Sequence, residues 1–101
     1  MVSKEQIDRI AKMESYLNEC AEATKELSTA IDRMEKLKGR MTELFDYYGS
    51  EDWYKDREAD LPKDVAAGVL SEDLVYDEIT DIRDAAFQML ALATDILKNR
   101  I

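Results

Sequence analysis

Residues 4–48 read KEQIDRIAKMESYLNECAEATKELSTAIDRMEKLKGRMTELFDYY, and the spacing of apolar side chains in this stretch decides the fold. Ile10, Met13, Leu17, Cys20, Leu27, Ile31, Met34, Met41, Phe45 and Tyr48 follow alternating steps of three and four, with Thr24 and Lys38 in the two gaps. A seam of that period stays on one face of an α-helix. At about 1.5 Å per residue the helix is roughly 65–70 Å long, more than the width of a small globule. The remaining chain is therefore expected to fold back along it. Ala30, Leu37 and Leu44 join the seam in its second half, so the apolar face drifts as it does on a 3.6-residue helix of a bundle.

Both helix ends carry local signals. Ser3 and Gln6 form the S-x-x-Q pattern of a capping box, and Val2 and Ile7 fall at staple positions. Gly49 suits the left-handed residue that ends a helix. Gly39 is unfavourable inside a helix, yet the apolar period crosses it without a phase jump, which predicts a continuous helix.

Beyond Gly49 the entry signals repeat. Ser50 precedes Glu51 and Asp52, and Ser71 precedes Glu72 and Asp73, each a cap followed by acids in the first turn. The first predicts a short helix from Glu51 to about Ala59, halted by Leu61-Pro62. Pro62 is expected to open one further turn, through about Ala67, closed by Gly68. The second predicts a long helix from Glu72 to about Asn99, with Leu70 and Val75 as its staple. Its stripe is Val75, Ile79, Ile82, Ala86, Met89, Ala93 and Ile96, and Lys98 and Arg100 suit its negative end. Phe45, Tyr47, Tyr48, Trp53, Tyr54 and Tyr76 should then meet as one aromatic cluster.

The expected fold is all-α and a single domain over 1–101: a long antiparallel helical hairpin, with one or two short helices across the turn, completed as a bundle by dimerisation. The run Tyr47-Tyr48-Gly49-Ser50-Glu51-Asp52-Trp53, then Leu61-Pro62, then Gly68-Val69-Leu70-Ser71-Glu72-Asp73 with Tyr76, resembles the uncharacterised bacterial domain-of-unknown-function family numbered 4298. The resemblance covers nearly the whole chain. It implies a small bacterial helical protein and supplies no activity, substrate or partner.

Composition narrows the chemistry. With 101 residues, 46% hydrophobic and 37% charged, the chain reads as one folded domain. No run of some eighteen apolar residues spans a membrane. Without an apolar leader, and with one cysteine, the expected location is the cytoplasm. A net charge of −9 argues against nucleic acid. Residues 4–48 are near balance, with ten acids and eight bases, whereas residues 50–84 hold twelve acids against four bases. No histidine is present, which removes most triad, general-base and zinc schemes. No cofactor or metal is expected. Cys20, on the seam, reads as a buried and inert thiol. Asp56, Glu58 and Asp60 have the first spacings of a calcium loop but lack its glycine and terminal acid. Glu19/Glu22 and Glu78/Asp81 invite comparison with magnesium-dependent nucleotide hydrolases, but the hairpin would hold the two pairs far apart.

The favoured function is a non-catalytic helical protein–protein interaction or assembly module. The alternatives are a small-ligand binder and a magnesium-dependent hydrolase of phosphate esters. The ligand or partner site would gather Tyr48, Trp53, Tyr54, Arg57, Asp60 and Tyr76. Asp73, Asp77, Asp81 and Asp84 line one helix face and could dock a basic protein partner. The returning helix is shorter than the first, so Ile7, Ile10, Met13, Tyr16 and Leu17 are expected to stay uncovered and to form a homodimer interface.

Overall fold

The computed structural model describes residues 1–100, and of Arg100 only the backbone. The expected place of the Arg100 side chain at the helix end lies outside the described residues. Helix α1 runs Lys4–Tyr47 without interruption, α2 covers Glu51–Glu58, a 3-10 turn covers Gly68–Leu70, and α3 runs Glu72–Arg100. Among the described residues, 84% are helical and no strand is present, so the protein is all-α. The chain divides into two compact units, Met1–Met41 and Thr42–Ile101.

The first unit is a single helix. Its start follows from Ser3, whose hydroxyl accepts the Gln6 N–H at 3.1 Å, while the Ser3 carbonyl accepts from Ile7. Gly39 causes no break. Its Cβ position is open space, with no atom within 4 Å. Gly39→Ala is therefore expected to stabilise the protein by about 1 kcal/mol, since only backbone entropy is at stake. Chemical denaturation checks this, and a loss of stability would show that the glycine is needed for a close approach.

The second unit is built by short-range signals that the sequence carries openly. Gly49 takes φ 78° and closes α1, with the Ser50 N–H reaching the Tyr47 carbonyl at 2.9 Å. Ser50 then caps α2, its hydroxyl accepting from Trp53 N–H at 3.2 Å. Ser71 caps α3 in the same way, accepting from Leu74 N–H at 3.3 Å. Each cap satisfies an orphan donor of a helix start. The 3-10 turn touches both α2 and α3.

Two expectations are corrected here. Residues 62–67 form no helical turn. Only Val65 N–H reaches back to Pro62, at 3.1 Å, and Gly68 opens the 3-10 turn instead of closing a helix. A helix costs several ordered residues before its first bond, and six residues with no capping side chain do not meet that cost. Cys20 is exposed, not buried. Every residue from Met1 to Lys36 is exposed, because the first unit has no second element for its helix to pack against.

Candidate functional site

The second unit closes around one side chain. Trp53 stands on the first turn of α2 and is 2% exposed; Val75, on the first turn of α3, is 5% exposed. The Trp53 indole N–H donates to the Val69 carbonyl at 3.0 Å, so its one polar atom is satisfied. Tyr48 and Tyr54 meet the ring edge-on, each with centroids 5.0 Å away and interplanar angles of 68° and 75°. The Arg57 guanidinium lies 4.6 Å from the ring centroid, a cation–π contact one helical turn along α2. Around this centre, Leu44, Phe45, Leu70, Ile79 and Ile82 are half-buried.

Hydrogen bonds tie the surrounding elements together. Tyr48 donates to the Glu72 carbonyl at 3.3 Å, joining the end of α1 to the start of α3. Tyr47 donates to the Asp56 carboxylate at 2.6 Å, joining α1 to α2, a length usual for a hydroxyl bound to an anion. That bond, with a smaller part from desolvation and from the charges of Asp56 and Asp52, pushes the Tyr47 phenol up to about 12. Desolvation chiefly, then the charge of Glu72, raises Tyr48 as well. A phenol raised in the folded state contributes stability that is complete below its ordinary value of 10.0 and is lost as pH climbs through about 12. Phenolate absorbance should therefore show one of the five tyrosines ionising last, and Tyr47→Phe should remove that late step. If all five titrate together, the Tyr47–Asp56 bond is not formed in solution.

Four of the six residues expected at the ligand or partner site, Tyr48, Trp53, Tyr54 and Arg57, are in contact. Asp60 lies exposed beyond the end of α2. Tyr76 is 60% exposed: Val75 takes the inward position, and the next residue is turned about 100° away around the helix. Ring contacts among the described residues join Tyr48, Trp53 and Tyr54, a smaller cluster than the six aromatics expected. One partner of Trp53, the Val69 carbonyl, was not read from the sequence. It carries no sequence signal. Arg57, expected at this site, does carry one, since its spacing of four from Trp53 places both on one helix face.

The other candidate surface is apolar. Ile7, Ile10, Met13, Tyr16 and Leu17 are 48–61% exposed, and the exposed stripe continues through Leu27, Ile31 and Met34. On α3, Phe87, Met89, Leu90, Leu92, Ile96 and Leu97 are exposed as well. Asp73, Asp77, Asp81 and Asp84 are all exposed on α3. No group of three or more Cys, Asp or Glu residues is placed to hold a metal among the described residues. No helix among them is long and apolar enough to cross a membrane.

The model of the family described as a domain of unknown function (DUF4298) matches residues 10–92, and the chain belongs to that family. Neither the curated proteins nor the solved structures give a match. The matched span holds the whole aromatic centre and most of the apolar stripe of α1.

Proposed function

We propose that this member of the DUF4298 family is a non-catalytic helical assembly module whose working surfaces are the apolar faces of its long helices. One observation carries the reading: among the described residues only Trp53 and Val75 are buried hydrophobics, while large apolar side chains stand exposed along both α1 and α3. Apolar patches of that extent on a folded chain mark interaction surfaces. The aromatic centre supports the same reading, because the Trp53 ring and its N–H are already engaged inside the protein. The single cysteine, which has no second thiol in the chain to pair with, fits a reducing compartment, and the cytoplasm is the location that goes with this reading.

Native mass spectrometry of the protein drawn from its own cells tests the proposal. The expected result is an intact assembly heavier than the 11.6 kDa chain. A chain that is recovered alone, and that turns over phosphate esters with Mg²⁺, would contradict it.

A further inference from the structure

We infer that the partner of the α1 face is a second copy of this chain, paired antiparallel over residues 6–38, on a twofold axis level with residues 21–23. The inference rests on the assembly reading above and names its partner.

A twofold interface must be complementary to itself. In an antiparallel pair each seam residue of one heptad class faces one of the other class on the partner. Setting Cys20 against the partner's Thr24 fixes every other layer. Leu17 then faces the partner's Leu27, Met13 the partner's Ile31, and Ile10 the partner's Met34. The two non-apolar seam positions find suitable company: Thr24 meets a thiol, and Lys38 meets the partner's Gln6 at the end of the overlap. Lys38 also keeps its 3.0 Å ion pair with Glu35. Ala21 and Ala23 flank the seam at the axis, where small side chains let two helices approach closely.

Competing arrangements put charge in the seam or lose its apolar layers. A parallel, in-register pair would set Lys38 against the partner's Lys38. An antiparallel pair shifted by one heptad would set Lys38 against the partner's Met13 in one direction, and in the other would leave Ile31 against the partner's Gln6 and Met34 against the partner's Ser3. The paired span lies inside Met1–Met41, so it asks nothing of the residues from Thr42 onward.

The area suffices. Burial worth 1.5–3 kcal/mol at 25 cal/mol/Å² corresponds to about 60–120 Å² per side chain. The eight exposed large apolar side chains of α1 from Ile7 to Met34 then offer roughly 500–950 Å² per copy. A stable interface takes about 800 Å² from each partner.

Cysteine trapping on the full chain tests both the partner and the register. The wild type is mixed with Cys20→Ser/Thr24→Cys, so each chain carries one thiol, and mild oxidant is added. Covalent mixed dimers should exceed, by tenfold or more, the dimers formed by either chain alone. A second pair, Cys20→Ser/Leu17→Cys mixed with Cys20→Ser/Leu27→Cys, should trap equally well and guards against a variant that misfolds. Wild-type chains that cross-link to each other through Cys20 would overturn the register in favour of parallel pairing. A purified chain that scatters light as 11.6 kDa at tens of micromolar would overturn self-pairing. A heavier assembly from cells containing a different protein would then leave the assembly reading standing.

Discussion

Replacing Trp53 with alanine is expected to destabilise the protein by about 3–5 kcal/mol, the usual range for truncating a fully buried aromatic. The ring is 2% exposed, so almost all of its surface is packed in the folded state. The substitution also strands the Val69 carbonyl and removes the surface on which Tyr48, Tyr54 and Arg57 rest. A net stability of about 5–15 kcal/mol is usual for a domain, so a loss of this size removes much of what holds residues 42–82 together. Urea denaturation checks it. A change below about 0.5 kcal/mol would show that the indole is not the packing centre.

The second large effect belongs to α1. The double substitution Ile10→Asp/Leu17→Asp should dissociate the pair while leaving the fold around Trp53 intact. Each buried aliphatic side chain contributes about 1.5–3 kcal/mol. A symmetric pair loses four of them, roughly 6–12 kcal/mol, before the cost of bringing carboxylates together is counted. Since each 1.4 kcal/mol is a factor of ten, affinity should fall by about four orders of magnitude or more. Light scattering should report one chain, and the Trp53 fluorescence spectrum should stay unchanged. Retention of the assembly would place the interface elsewhere.

What could be read from the sequence is what short-range chemistry governs. Ser3, Ser50, Ser71 and Gly49 each act within four residues of themselves, and each does what its local pattern requires. The long period of α1 was legible for the same reason: it is a property of one helix and needs no partner. The reading of residues 62–67 failed because proline at a helix start is a permission and not a driving force. Cys20 was misread because a seam position implies burial only when something lies over it. The aromatic centre was legible as a neighbourhood. Its members were not, since the choice between Val75 and Tyr76 depends on the phase at which α3 leaves its cap.

That a seam of this length stands exposed on the single chain is the physical reason for assigning it to an assembly. Amide hydrogen exchange along α1, followed as a function of protein concentration, tests this claim most directly. A lone helix opens locally at little cost, whereas a paired one must first dissociate. The account predicts that residues 10–34 are strongly protected at tens of micromolar and lose that protection on dilution, while Trp53 and Val75 keep theirs. Amides of α1 that exchange rapidly at every concentration, beside a protected second unit, would contradict it.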